Sequence, residues 1–224
     1  MPATAVDVEW IDLDAATPDL EYWYAMLDDT ERAAGRQFRF ERDRRRFVVR
    51  RGWLRALLAE RLDMAPREIR FSRNRFGKPS LPQRELAFNL SHSAGKALCA
   101  IAGDRELGCD LEWRDPSLAS PDLAERFFSP AERHCLAALP GDQWLAAFFN
   151  CWTRKEAYIK ARGMGLSYPL DRFDVSLAPG EPARLMRGCT GWSVEAFEPA
   201  SGFTAAVVAA GDDWHCRAPL SLCR

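Results

Sequence analysis

Apolar positions along the chain follow two rhythms. In RRFVVRRGWLRALLAERL (45–62) and WLAAFFNCWTRKEAYIKA (144–161) they recur every three or four residues, which predicts two long helices. Each is preceded by a helix start. In DDTERAAG (28–35) Thr30 reads as the cap, and in FSPAERHC (128–135) Ser129 takes that role, with Pro130 at the first helical position and Glu132 at capping-box spacing. Each long helix runs on to a short strand-like segment, IRFSR (69–73) or RFDVSL (172–177). Elsewhere the period is two. AFNLSHSAG (87–95) sets Phe88 and Leu90 against Asn89, Ser91 and Ser93, with His92 at the end before a turn. In ELGCDLEW (106–113), Leu107, Cys109, Leu111 and Trp113 alternate with Gly108, Asp110 and Glu112, so this segment is a strand with two carboxylates on one face.

The plan repeats. SAGKALCAIAGD (93–104) parallels ASGFTAAVVAAGD (200–212), each a glycine turn, an apolar strand and Gly-Asp. Corresponding points lie roughly 101 to 108 residues apart, too long for a solenoid and suited to a duplicated unit. The expectation is an α+β fold of two similar halves, a pseudo-dimer, each packing a long helix on an antiparallel sheet. Residues 1–113 form the first half, 114–122 (RDPSLASPD) the linker and 123–224 the second. A site fed by both would lie between them.

Composition narrows the function classes. The 224 residues are 47% hydrophobic, ample for a core, yet no apolar run approaches the roughly 18 residues of a membrane helix. MPATAVDVEW lacks a basic stretch followed by an apolar one, so no secretory leader is expected. Seven cysteines form no C-x-x-C pair; reduced thiols in a cytoplasm are expected, not a disulfide frame or zinc site. The net charge of −1 conceals fifteen arginines against five acids between Arg32 and Arg75. Such a patch suits a polyanion: nucleic acid, nucleotide phosphates or an acidic protein. It also reads as a solvated helix face.

Candidate chemistry collects in four places. Asp110 and Glu112 repel unless a cation stands between them; Mg²⁺ suits such oxygen donors, although the same pattern describes the exposed face of an edge strand. On the second long helix Trp152, Glu156 and Lys160 share one side. The bland alternative is a surface ion pair worth about 0.3–0.5 kcal/mol. Ser91 and His92, near a turn, suit phosphate binding or a merely structural role; adjacent residues on a strand point apart, which argues against a nucleophile–base pair. Arg73, Arg75 and Lys78 in RNRFGKPSLP form either a phosphate clamp or an exposed loop.

Taken in order, G-K-P, F-N-L-S-H-S, G-C-D-L-E, F-F-S-P-A-E and W-T-R-K-E-A-Y-I-K-x-x-G-x-G resemble the 4'-phosphopantetheinyl transferases of the surfactin-synthetase type. The resemblance implies a pseudo-dimeric monomer that moves the phosphopantetheine arm of coenzyme A onto a serine of an acidic acyl or peptidyl carrier protein, releasing 3',5'-ADP. It implies Mg²⁺, or Mn²⁺, on Asp110, Glu112 and Glu156, and catalysis by Glu156 as base and Lys160 as cation. Coenzyme A contacts are implied at Arg42, Arg46, Arg73, Lys78, Asn89, Ser91, His92, Asp110, Lys155 and Lys160. Glu31 and Ala34 stand where some relatives carry lysines, and Phe47 where one branch has a hydroxyl, so the 3'-phosphate is expected to pass to Arg42, Arg45 or Arg46. No nucleic-acid motif accompanies the basic patch, and neither nucleic acid nor membrane is an expected partner.

Overall fold

A computed structural model describes residues 4–15, 19–82, 86–103 and 105–217; Asp104 of the first Gly-Asp and Cys223 lie outside them. Strand β1 (Thr4–Asp12) leads to helices α1 (Leu20–Ala25), α2 (Asp29–Gly35) and α3 (Glu41–Leu62). A short ribbon follows, β2 (Ser72–Arg73) and β3 (Pro79–Ser80), then β4 (Ala87–Ser93), β5 (Lys96–Ala102) and β6 (Leu107–Trp113). Helices α4 (Pro121–Phe127), α5 (Pro130–Ala138) and α6 (Gly141–Arg162) precede β7 (Trp192–Phe197), β8 (Phe203–Ala210) and β9 (Trp214–Arg217).

The two long helices appear where their spacing predicted them, and the capping box joins Ser129 to Glu132 as expected. At α2 the cap is Asp28, not Thr30: its carboxylate accepts from the Glu31 N–H, and Glu31 answers in a second capping box. Such caps contribute about 1 kcal/mol each. Residues 69–73 pair only at Ser72–Arg73. Residues 172–177 make no strand. Phe173, Val175 and Leu177 are buried alternately, as the pattern suggested, but the backbone bonds of Asp174 and Ser176 between them go to the irregular segment 184–187.

One sheet has the order β4-β5-β1-β9, antiparallel except for the parallel pair β1 and β9; the other is antiparallel with the order β6-β8-β7. Strict alternation splits each strand between two environments. On β5, Ala97, Cys99 and Ile101 face Val48, Trp53 and Leu58 of α3, while Leu98 and Ala100 face the other sheet. On β8, Ala206 and Val208 lie under α6, and Ala205 and Val207 turn inward. The layers are therefore helix, sheet, sheet, helix, the two-layer unit used twice. Strand β6, read from sequence with the first half, is hydrogen-bonded into the second sheet, and β9 is hydrogen-bonded into the first.

Candidate active site

Where the two sheets meet, β4 and β6 run side by side without a backbone ladder, and side chains of β4 make the junction. Asn89 Oδ1 accepts the Cys109 N–H at 2.9 Å, Ser91 Oγ donates to Asp110 at 2.8 Å, and Ser93 Oγ donates to Glu112 at 2.8 Å. Ser93 also accepts the Trp113 N–H. The polar face of β4 thus fixes the register and the rotamers of the two β6 carboxylates.

Helix α6 lies directly on that strand. A methyl group on Gly108 would come within 2.2 Å of Ala161 N and 2.4 Å of Ala157 O, so only glycine permits this approach. The approach sets Lys160 over Asp110, with Nζ 2.6 Å from Oδ1 and 3.1 Å from Ser91 Oγ. Glu156 sits one turn earlier on the same side. Trp152 and Phe148 continue the row as stacked rings 6.3 Å apart, with Phe127 of α4 edge-on to Trp152. The aromatic rungs anchor the helix, and the acid and the base share its working end.

The electrostatics record charges crowded together. Burial, reinforced by Asp110, pushes both Glu112 and Glu156 up to about 7. Burial alone would depress Lys160, but the Asp110 carboxylate outweighs it and the ammonium is held more firmly than usual. Asp110 is 2% exposed, so it is not the hydrated edge carboxylate of the simpler strand reading, and its Oδ2 is buried with no hydrogen-bond partner among the described residues. An orphaned carboxylate oxygen beside two proton-hungry carboxylates is a donor set that fits a hard divalent cation. As they stand, no three acidic, thiol or imidazole groups among the described residues are gathered closely enough to hold one.

The remaining expected contacts divide. Ser91 is in the cluster, buried and bonded to Asp110 and Lys160. His92 emerges from the opposite face of β4, and the surrounding protein, then Arg50 and Lys160, depresses its imidazole to about 4. Lys78 is spent on the Leu107 and Ala161 carbonyls at 2.8 and 3.0 Å, and burial lowers it to about 8. Its turn is organised by Asn74, which accepts from the Phe76 and Lys78 N–H groups and donates to Gly163 O at the end of α6. Arg42 and Arg73 are exposed, Arg73 donating to Gly77 O, while Arg46 is ion-paired with Asp14.

Two of the expected contacts are engaged inside the protein. Lys155 is fully buried on the other side of α6, donating to Leu170 O and Phe173 O and paired with Glu132 at 2.8 Å. There it supports the second core. Asn89 is likewise consumed by its bond to β6. Sequence reasoning passed over Ser93, Asn74 and Gly108. Of these only Ser93 carried a signal, since it shares the polar face of β4 with Ser91. The arginine patch is also thinner than its count: Arg44, Arg46, Arg51, Arg55, Arg61 and Arg67 all have carboxylate partners within the chain.

The chain matches two protein families. Residues 106–209 match the family described as ACPS, the 4'-phosphopantetheinyl transferase superfamily, and residues 13–106 match the N-terminal 4'-phosphopantetheinyl transferase family AASDHPPT_N. The chain is similar to the 4'-phosphopantetheinyl transferase HetI of Nostoc sp. (strain PCC 7120 / SAG 25.82 / UTEX 2576), 40% identical over 208 residues, 91% of this chain and 87% of that protein. It is also similar to the 4'-phosphopantetheinyl transferase Sfp of Bacillus subtilis (strain 168), 32% identical over 169 residues, 75% of this chain and 74% of that one. A solved holo-(acyl-carrier-protein) synthase from Bacillus anthracis str. Ames superposes on 47% of this chain and 94% of its own, with 24% identity and a TM-score of 0.36.

Proposed function

The chain belongs to the 4'-phosphopantetheinyl transferase superfamily, in the Sfp-like branch, and from that premise we propose how its seam performs the transfer. The family moves the phosphopantetheine group of coenzyme A to carrier proteins. The observation that carries the assignment of roles is the Gly108 contact, which brings Glu156 and Lys160 of α6 over Asp110 and Glu112 of β6. A carrier serine oxygen attacks the phosphorus that bears the pantetheine arm. The phosphoanhydride bond to the 3',5'-ADP portion breaks, and the serine proton passes to the Glu156 carboxylate. Lys160 stabilises the negative charge that grows on the departing phosphate, where positioning and charge neutralisation do most of the catalytic work.

Asp110, Glu112 and Glu156 would hold Mg²⁺, which when bound supplies the positive charge that lets a pyrophosphate approach three carboxylates. Ser91 and Ser93 keep the β6 carboxylates in place from behind. The exposed arginines at the start of α3 and in the β2–β3 turn, Arg42, Arg73 and Arg75 among them, meet the phosphates and an acidic carrier. The six described cysteines are free, and no described helix is long and apolar enough to cross a membrane; both support a cytoplasmic setting. Two halves of one chain already supply both sides of the seam, which supports a monomer. The test is mass spectrometry of apo carrier proteins incubated with coenzyme A and Mg²⁺. Addition of the phosphopantetheine mass to the serine is expected. No addition to any acyl or peptidyl carrier would overturn the reading.

A further inference from the structure

The end of α6 is completed from outside the helix. Gly163 adopts the left-handed cap conformation (φ 65°), and the N–H groups of Gly163 and Met164 donate to Lys160 O and Ile159 O. The next two acceptors are taken by the β2–β3 turn. Ala161 O accepts from Lys78 Nζ at 3.0 Å, and Gly163 O accepts from Asn74 Nδ2 at 2.6 Å. An ammonium in this place also complements the negative end of the helix dipole. The turn lies 89 positions before the cap that it completes.

Asn74 divides its amide between two tasks. Oδ1 accepts from the Phe76 and Lys78 N–H groups at 2.9 and 3.0 Å, which closes the turn, while Nδ2 reaches Gly163. From the closed turn the Lys78 side chain runs inward, and its ammonium bridges Ala161 O to Leu107 O, the latter at 2.8 Å. Those two residues border the close contact between Gly108 and α6. Steric contact at Gly108 limits how near the helix can come, but repulsion alone does not stop it from lifting or sliding. The bonds from Asn74 and Lys78 oppose both movements at the same end of the helix. No side chain fits at the junction: a methyl on Gly163 would meet Asn74 Nδ2 at 3.0 Å and Lys78 Cδ at 3.2 Å. The first glycine of K-x-x-G-x-G serves this contact.

Lys160 lies less than one turn before Gly163, and Glu156 about two turns before it. Resting on the transfer proposed for this seam, we infer that Asn74 is a positioning residue for the reaction: its amide fixes the end of α6 and, through it, the placing of Lys160 and Glu156 over β6. Its task is met entirely by protein groups, so it acts without touching either substrate. Arg73 and Arg75, on either side of it, are exposed. The turn that offers cations to an anionic ligand is thereby the turn that holds the catalytic helix.

The experiment compares the parent with Asn74→Asp and Asn74→Ala. Asn74 is exposed and belongs to no buried cluster, so both variants should fold. Aspartate keeps an acceptor for the two turn N–H groups but cannot donate to Gly163 O; alanine does neither. In steady-state transfer to an apo carrier with coenzyme A and Mg²⁺, Asn74→Asp should lower kcat about tenfold to a hundredfold, the scale of a reacting group displaced by roughly 1 Å. Its KM for coenzyme A should stay within about twofold of the parental value, as for a contact that matters only in the transition state. Asn74→Ala should lose at least as much in kcat. Amide hydrogen exchange of the ligand-free protein should be faster in both variants over residues 157–163 and unchanged over 144–150. Parental kcat in Asn74→Asp, a loss confined to KM, or parental exchange over 157–163 would each overturn the assignment, as would faster exchange along the whole helix. A parent that modifies no carrier would overturn the transfer reading instead, and exchange alone would then decide whether Asn74 holds the helix.

Discussion

Lys160 and Asp110 form a half-buried ion pair that uses one carboxylate oxygen: Nζ sits 2.6 Å from Oδ1, and Oδ2 is buried with no hydrogen-bond partner among the described residues. One oxygen is thus committed to the helix, and the other is available to a cation. Lys160→Ala should slow single-turnover transfer roughly a hundredfold to a thousandfold, the usual effect of deleting one oriented electrostatic donor. It should also lower the melting temperature of the metal-free protein, because Asp110 keeps its burial and loses its counter-charge. Mg²⁺ should restore more stability to this variant than to the parent. An unchanged turnover rate would remove Lys160 from the mechanism.

Gly108→Ala tests the close approach of α6. The clashing atoms are helix backbone and cannot rotate away, so α6 must shift or lift. A loss of about 1–3 kcal/mol is expected from urea unfolding, as for other overpacked contacts. The folded fraction should also turn over poorly, because Glu156 and Lys160 move together. Parental stability and parental activity would show that the helix has slack there.

Lys155→Met separates support from chemistry. The ammonium and Glu132 are buried together, and Glu132 also accepts from the Ser129 and Val175 N–H groups. Burial raises the Glu132 pKa despite Lys155, so leaving that carboxylate alone favours its neutral form or unfolding. Removing one partner of such a pair typically costs about 3–5 kcal/mol. The expected signature is a lower urea midpoint with an unchanged KM for coenzyme A at low temperature. A raised KM with unchanged stability would return Lys155 to the ligand site.

The pH dependence of metal stabilisation follows from Glu112 and Glu156. Both are raised from 4.5 to about 7 in the folded, metal-free protein. The folded state then binds more protons than the unfolded one. Their contribution is fully present below 4.5 and is lost as pH climbs through the folded value near 7. A cation competes with those protons, so the rise in melting temperature caused by Mg²⁺ should be small near about pH 5.5 and large near about pH 8. Equal shifts at both would mean that the metal binds elsewhere.

How legible was this in the sequence? The motifs that hold the cluster are local patterns: a period of two sets Asp110 and Glu112 on one face, and a spacing of four sets Glu156 with Lys160. Lys155 was hard to place because adjacency in sequence is not adjacency on a helix. Neighbouring side chains point about 100° apart, and one step along α6 leads from the seam to the second core. Asn89 was hard to place in the opposite way: it shares a face with Ser91, but its partner is a backbone N–H that only the packing of two sheets supplies. The run of arginines could not be sorted from sequence. Which of them are neutralised depends on α2, on β1 and on residues around Asp14, all distant in sequence. The same is true of β6, whose alternation identifies a strand but not the sheet that it joins.

The parallel pairing of β1 with β9 has a consequence for how the protein is made. Asp7 meets Arg217 across 210 positions of sequence, whereas β4, β5 and β6 are close neighbours along the chain. Contacts of such long separation form late, so the β1 edge that β9 covers stays open until the segments between them have folded. A chain truncated before β9 should therefore keep that edge open and be the form most prone to pair there with another copy of itself.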